Sequence, residues 1–368
     1  MSLKKVLVLS SAHPWDDERV FNKITKSLSK KYETALCAVA DKQFFEVDQI
    51  KIFGLPKLPR SKRYKNYLKI IKIVKEFKPD IIHFHDPDLL ILSLYFKFLL
   101  KKKVIYDIHE DYQLAFKDRR YFPEPFSTMF SIFFNFVEKN ISKLLDGVVT
   151  VTEDIYTKFN CKNKEVIKNY PVIDTFPEEK NAPLDGTLNL IYIGSVSQSR
   201  GITNLILAVK SLHELDIRLD IVGPAENQKY FEEIKKYEDK KIKIWGRAPK
   251  KDIPGILKNA HVGFVTLLPL SRYKTSLPLK LFEYMAAKVA VVASNFELWR
   301  RIVEEADCGV LVDPTDIQSI CQAILFFYNN RDQVIKKGLN GYKAFMEKYN
   351  WEKEEKKLFQ FYERIVEY

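Results

Sequence analysis

The sequence predicts a two-domain α/β protein in which each domain is a doubly wound, Rossmann-like parallel sheet. Three observations lead there. A chain of 368 residues exceeds one ordinary core and fits two of roughly 150 to 200 residues each. Short β-branched runs alternate with longer amphipathic segments, the pattern of parallel strands joined by crossover helices. The alternation breaks once, near the middle, and then restarts.

In the first half the strands are Val6–Ser10, Thr34–Val39, Asp80–Phe84, Lys103–Asp107 and Gly147–Thr152. The helices between them fall near Arg19–Lys30, Tyr64–Glu76, Leu89–Leu100 and from about Pro125 to Leu145. Residues 1–172 thus form one domain. The stretch 173–186, with Pro177, Pro183 and Gly186 and no clear period, reads as a linker. Residues 187–349 repeat the pattern: strands Leu188–Ile193, Leu219–Val222, Ile242–Trp245, Val262–Thr266 and Val289–Ala293, with helices Gly201–His213 and Lys280–Ala287. A charged amphipathic helix over about 350–368 exceeds what the second sheet needs and is expected to fold back onto the first domain.

Apolar residues form 46% of the chain and aromatics 13%, which supports packed cores and excludes a disordered chain. Lys and Arg exceed Asp and Glu by 12, so phosphates, anionic lipid and nucleic acid are all attracted. None of the base-stacking or groove-reading motifs of nucleic-acid binders is evident, which disfavours a basic nucleic-acid-binding protein. Cys37, Cys161, Cys308 and Cys321 are widely spaced and form no ladder, as expected of a reducing, cytoplasmic compartment. Lys4 and Lys5 precede an apolar run of only about four residues, which reads as a first strand rather than a signal sequence. Ile91–Leu100 and Met129–Val137 fall short of the ~20 residues that a membrane-spanning helix needs.

Ligands of open parallel sheets bind beyond the carboxyl ends of the strands, so residues there carry the functional weight. In the first domain His13, Trp15, Asp16, Asp17 and Arg19 follow the first strand. No G-x-G-x-x-G follows it, which disfavours a nicotinamide site. His83 and His85 alternate on a strand and could converge on a metal, or the polar run through Asp86 and Asp88 could cap the next helix. His109 stands at the end of another strand, either to bond a sugar hydroxyl or steady a developing charge, or to serve as a structural histidine. In the second domain Gly194 to Gly201 is a small-residue loop that ends in Arg200 and opens a helix, a setting for a diphosphate. Ser276, Leu277 and Lys280 sit at another helix start, with Glu283 one turn in, where a carboxylate can accept both hydroxyls of a ribose.

Taken together, these residues resemble glycosyltransferase family 4, over nearly the whole chain. The likeness rests on His13-Pro14 with Asp17-x-Arg19-Val20-Phe21, on Asp80-Ile-Ile-His-Phe-His-Asp-Pro-Asp88, and on Tyr106-Asp-Ile-His-Glu-Asp111. Arg200-Gly201, Gly246-Arg247, Phe282-Glu-Tyr-Met-Ala286 and Val291-Val-Ala-Ser294 complete it. The resemblance implies the GT-B fold, two Rossmann-like domains facing across a cleft, and a retaining, metal-independent enzyme of bacterial surface-polysaccharide type. It implies no cofactor and a nucleoside-diphosphate sugar as donor, with Glu283 on the ribose, Arg200 on the diphosphate and the backbone near Gly246 and Arg247 on the base. His109 would touch the donor sugar or leaving phosphate. The family commonly has a glutamate where this chain has Thr275, and often an arginine where it has Ser195, so Lys280 is expected to supply a missing cation. Asp16 and Asp17 are the candidate bases. A nucleotide-sugar epimerase of the same architecture is disfavoured by the same motifs.

The acceptor expected is a glycan or a lipid-linked hydroxyl, reached from the inner face of the cell membrane. Between Arg60 and Lys78 stand eight cations and one acid, Glu76, while Tyr67, Leu68, Ile71 and Val74 share a face for packing. In the helix after Pro125, the stripe Phe126, Phe130, Phe133, Phe134, Val137, Ile141 and Leu144 is expected to face the core. Met129, Ile132 and Phe136 then form a second stripe, for a neighbouring element or for an anionic headgroup region.

Overall fold

The computed structural model of the chain describes residues 3–114, 126–176, 184 and 186–367. Pro125 and most of the expected linker, including Pro177 and Pro183, lie outside the described residues. The chain divides into two compact units, one running to Asn169 and resuming at Trp351, the other spanning Tyr170–Asn350.

The first unit is built on β1 (Lys5–Pro14), β2 (Glu33–Val39), β3 (Phe44–Val47), β4 (Ile50–Leu55), β5 (Ile81–Phe84), β6 (Lys103–Ile108), β7 (Gly147–Thr150) and β8 (Lys164–Val166). Their order is β3-β4-β2-β1-β5-β6-β7-β8. All neighbours are parallel except β3 and β4. Val6, Leu7, Val8 and Leu9 are all fully buried, because crossover helices cover both faces of a parallel sheet. The chain leaves β1 in one direction for β2 and returns on its other side as β5, so the switch point lies between those two strands.

The β3–β4 hairpin was not among the expected strands. Its turn residues Asp48 and Gln49 have φ of 52° and 62°, the left-handed pair that a tight hairpin turn needs. The usual Asn-Gly signal is absent, which is why the sequence pattern hides it.

After β1 a π-helical turn (Glu18–Thr25) leads into α1 (Lys26–Ser29). A 3-10 turn (Arg60–Asn66) leads into α2 (Tyr67–Phe77), and α3 (Leu90–Leu94) continues as a π-helical turn, Tyr95–Leu99. Then come α4 (Phe126–Leu144) and α5 (Glu153–Lys158). α2 buries Ile70, Ile73, Val74 and Phe77, an i, i+3, i+4, i+7 stripe; the expected packing residue Leu68 is instead 81% exposed.

The expectation for α4 fails more completely. Phe126, Phe133 and Leu144 are exposed and Phe130 is 39% exposed, while the buried residues are Ser127, Ser131, Glu138 and Ser142. Polar partners explain this inversion. Ser131 Oγ donates to the Gln113 carbonyl at 2.9 Å, and Glu138 Oε1 accepts from the Tyr106 hydroxyl at 2.8 Å. Only Phe134 and Ile141 of the expected stripe pack against the core cluster.

The C-terminal helix (Trp351–Glu367) belongs to this first unit. Trp351 Nε1 donates to Ser27 Oγ at 2.9 Å, Lys168 N donates to Glu354 Oε2 at 2.8 Å, and Arg364 pairs with Glu165.

The second unit has β9 (Leu188–Ile193), β10 (Ile217–Val222), β11 (Ile242–Gly246), β12 (Val262–Val265), β13 (Ala290–Ser294) and β14 (Gly309–Val312), ordered β11-β10-β9-β12-β13-β14 and parallel throughout. Its helices are α6 (Ile202–Ser211), α7 (Gln228–Lys235), α8 (Ile253–Leu257), α9 (Ser271–Lys274), α10 (Leu279–Ala286), α11 (Glu297–Glu305), α12 (Ile317–Asn329) and α13 (Arg331–Glu347). Two separate apolar clusters pack on the faces of the sheet, and the switch point lies between β9 and β12. No helix among the described residues is long and apolar enough to cross a membrane.

Candidate functional site

In the second unit the chain turns sharply at the switch point. Gly194, just past β9, has φ of 116°. The loop is then pinned by Ser199, whose hydroxyl meets the Tyr273 hydroxyl at 3.0 Å and whose carbonyl accepts from Leu268 N at 2.9 Å. Gly201, with φ of 72°, opens α6, and a Cβ there would stand 2.0 Å from the Thr266 carbonyl oxygen. Only glycine permits that approach. It fixes Arg200 beside the end of β12.

Lys280 enters from the first turn of α10. Its ammonium lies 3.6 Å from the centre of the Tyr192 ring and is the nearest neighbour of Gly194, where a Cβ would meet it at 3.3 Å. Lys280 is only 5% exposed and its Nζ has no hydrogen-bond partner; the same holds for Arg200 Nε and Thr266 Oγ1. Burial, with the charge of Arg200 added to it, holds the Lys280 amine well below its ordinary range, and Glu283 opposes them. Three buried polar atoms without partners are costly. Two of them belong to cationic side chains, so an anion with several acceptor oxygens is the group that would satisfy them.

The other predicted residues of this unit fall as follows. Glu283 is half-buried, one turn along α10 from Lys280. Ser276 is half-buried, with its hydroxyl donating to the Tyr273 carbonyl at 3.1 Å and its own carbonyl accepting from Trp299 Nε1 at 2.7 Å. Leu277 packs against the apolar cluster. Gly246, with φ of 74°, closes β11 and accepts from Gly223 N at 2.8 Å, and Arg247 beside it is exposed. Thr275 is half-buried just past α9, and the Ser195 carbonyl accepts from the Tyr192 hydroxyl at 2.7 Å. Sequence reasoning assigned no role to Tyr192 or Thr266. The signal for Thr266 was its place directly after a buried strand.

In the first unit the carboxyl ends of β1, β5 and β6 hold a buried cluster around Asp107, in which one terminal nitrogen of Arg19, His83 Nε2 and both ring nitrogens of His85 and His109 have no hydrogen-bond partner. Arg19 grips Asp107 with two hydrogen bonds, Nε to Oδ2 at 3.1 Å and a terminal nitrogen to Oδ1 at 2.9 Å. His83 and His85 lie 3.5 Å from Asp107 and His109 lies 3.6 Å from it. The His85 ring stacks between His83 and His109, with centroids 5.0 Å apart on each side. Tyr362 of the C-terminal helix meets His83 Nδ1 at 2.7 Å. Burial raises the Asp107 carboxyl, but Arg19 and the neighbouring imidazoles outweigh it and hold it well below the usual range. Burial, with Asp107 opposing it and Arg19 adding to it, lowers His109 to about 4. His109 is therefore a neutral imidazole near pH 7.

His83, His85 and Asp107 could offer three ligand atoms within 4.8 Å of one another. Both Asp107 oxygens, however, already accept from Arg19, and a cation would sit against that guanidinium. The fixed charge of Arg19 opposes a second cation there. The capping alternative needs correcting too. Asp86 precedes the turn after β5 but makes no cap with its side chain; it reaches back to β1, accepting from Ser10 Oγ at 2.6 Å, Ser11 N at 2.7 Å and Ala12 N at 3.2 Å. Asp88 accepts from Ser11 Oγ at 2.6 Å and from Arg63. His13 Nδ1 lies 3.3 Å from Asp86, and although burial lowers its pKa, the Asp86 hydrogen bond and charge leave it raised overall. Of the two candidate bases, Asp17 caps the following helical turn through the Arg19 and Val20 amides, and Asp16 is exposed beside it.

Two family models match the chain. The model for Glycosyl transferases group 1 covers residues 174–344, and that for Glycosyltransferase Family 4 covers residues 18–163. Among solved structures, sucrose-phosphate synthase (tll1590) from Thermosynechococcus elongatus is similar with a TM-score of 0.79 at 16% identity, over 99% of this chain and 99% of that one. Anabaena Alr3699/HepE in complex with UDP-glucose gives 0.74 at 16% identity, over 99% and 100%. WaaG, a glycosyltransferase involved in lipopolysaccharide biosynthesis, gives 0.69 at 13% identity, over 96% and 98%. Among curated proteins none matches the chain.

Proposed function

The chain belongs to the family 4-like glycosyltransferases of the GT-B fold, and on that premise we propose that it moves a sugar, with retention, from a nucleoside-diphosphate sugar to a hydroxyl of a glycan or lipid-linked acceptor. The observation that carries this reading is the pair of inward cations, Arg200 and Lys280, with Lys280 Nζ, Arg200 Nε and Thr266 Oγ1 unsatisfied around Gly194 and Gly201. A diphosphate answers all three atoms.

The chemistry follows from where charge develops. As the bond from the anomeric carbon to the diphosphate oxygen breaks, its electron pair stays with the diphosphate. Fixed cations and helix amides lower that cost because they need no reorganisation. Arg200 and Lys280 take this role, which needs no metal and no further cofactor. The acceptor oxygen forms its bond from the leaving-group face. Glu283 holds the ribose hydroxyls, the backbone at Gly246 and Arg247 faces the base, and Ser276 and Leu277 lead the chain into α10. His109, neutral, suits a hydrogen bond to a sugar hydroxyl better than neutralisation of a phosphate. Asp16 remains the exposed carboxylate for the acceptor side. The acceptor, in this reading, belongs to surface polysaccharide or glycolipid synthesis at the cytoplasmic face of a membrane.

UDP is the first probe, because solved relatives of the same fold hold UDP and UDP-glucose. A ligand that binds only the folded state raises the melting temperature in proportion to the logarithm of its concentration over Kd. Arg200→Ala and Glu283→Ala should each lose most of that rise. An undiminished rise in both variants overturns the site.

A further inference from the structure

Helix α4 is amphipathic in the inverted sense. The residues it turns toward its own unit are Ser127, Ser131, Glu138 and Ser142, which share one face by their spacing of four, seven and four. The residues it turns outward are Phe126, Met129, Ile132, Phe133 and Phe136, each between 58% and 65% exposed. A contiguous set of large apolar side chains on a surface marks a binding face.

The neighbouring helices extend it. α2, α3 and parts of α4 pack on the same side of the sheet, because their inner residues join one core cluster. On the outside of that layer, Leu68 of α2 is 81% exposed, Ile91 of α3 71%, and Phe98 and Leu99 of the following turn 55% and 68%. Exposed cations accompany them: Lys65, Lys72, Lys75 and Lys78 around α2, Lys101 after α3 and Lys143 near the end of α4. The acid among those of α2, Glu76, already faces Lys72 at 3.7 Å.

Apolar side chains interspersed with cations on one face fit a surface that is anionic outside and apolar beneath. We infer that the outer face of α2, α3 and α4 docks the first unit onto an anionic phospholipid bilayer, with the α4 aromatics entering the headgroup region and the lysines meeting lipid phosphates. Interfacial helices combine these two contributions in the same way. A second copy of this face is a poorer occupant, since it would set cations against cations. The inference names the surface from which a lipid-linked acceptor would be reached, and so deepens the function proposed above. It is read by vesicle binding without turnover, so its failure leaves UDP binding untouched, and a failure of UDP binding leaves it standing.

The test is flotation with vesicles of phosphatidylcholine alone and of phosphatidylcholine mixed with phosphatidylglycerol, at low and high salt. Two variants accompany the parent. One changes Met129, Ile132, Phe133 and Phe136 to Ser; the other changes Lys65, Lys72, Lys75 and Lys143 to Gln. The parent should float with the anionic vesicles roughly a hundredfold more tightly than with neutral ones, and lose most of that binding at high salt. Both variants should lose flotation while keeping the parent's thermal shift with UDP. Equal flotation on the two vesicle types, or none on either, overturns the inference. So does unchanged flotation of the serine variant, or of the glutamine variant should the first fail to fold. A dimer in sedimentation that the serine variant abolishes assigns the face to a second copy and overturns it as well.

Discussion

The carboxyl ends of the two sheets differ in how their buried charges are paired. In the first unit Asp107 is the hub of a set whose full charges are paired: Arg19 bonds both of its oxygens and three imidazoles stand within 3.6 Å, although several ring nitrogens there have no hydrogen-bond partner. In the second unit Arg200 and Lys280 converge with an unsatisfied Nε, Nζ and Thr266 hydroxyl. The difference is one of charge: the first cluster pairs its buried cation with a carboxylate, and the second sets two cationic side chains together. A buried charge that already has its partner holds structure, and one set beside a like charge is what an anion would satisfy. Both arrangements cost desolvation, and on the function proposed above an anion would recover part of it in the second.

The comparison breaks most visibly at Asp107. Asp107→Asn leaves the Arg19 guanidinium buried without a counter-charge, which costs about 3 to 5 kcal/mol, or roughly 10 °C in the melting temperature of a unit this size. The sign with pH is fixed by the direction of the shift. A carboxyl held below its unfolded value contributes stability that is present above about pH 4 and fades as the pH falls toward the folded value. The parent should therefore lose stability on acidification below about pH 4 more steeply than the variant. A variant that melts with the parent shows that Asp107 is no hub.

Lys280→Met makes the opposite prediction for the second unit. Removing a buried, unpartnered amine should leave the unliganded protein as stable as the parent or more so, while UDP affinity falls about tenfold to a hundredfold. A bound diphosphate favours the charged amine, so it raises the depressed pKa of Lys280. Parent affinity for UDP then weakens as the pH rises through the unliganded Lys280 value, and the methionine variant should lack that slope. Titrations of UDP from neutral to alkaline pH check both points. A parallel slope in the variant assigns the proton to another group.

Much of this was legible in the sequence, and what was not has physical causes. The buried strands announced themselves by β-branched runs, and the same pattern set Arg200 after a strand and Lys280 and Glu283 at a helix start, where the structure also has them. The β3–β4 hairpin escaped because its left-handed turn is made by Asp48 and Gln49 rather than by an asparagine and a glycine. Helix periodicity showed that α4 has two faces, but not which one the fold turns inward; that depends on Tyr106 and Gln113, which await Glu138 and Ser131. Asp86 was read as a local cap because its partners Ser10, Ser11 and Ala12 lie about 75 residues away and become neighbours only when β1 pairs with β5.

The smallest expected effect sharpens the comparison where the two clusters offer rival homes for a cation. If a divalent ion carried the leaving-group charge, the first unit's His83, His85 and Asp107 would be the place to look among the described residues. Arg19 already occupies the Asp107 oxygens, however, and its fixed positive charge opposes a second cation beside them. On the proposed function, Arg200 and Lys280 would take the diphosphate charge that a metal could otherwise meet, and each bound divalent ion would add repulsion to them. EDTA should accordingly leave both the UDP thermal shift and the turnover of UDP-glucose, or of whichever donor proves active, within about twofold of the untreated protein. A rate that collapses in EDTA and returns with magnesium or manganese would move the catalytic charge from the protein to the ion. The contrast between the two clusters would then have to be redrawn around that ion.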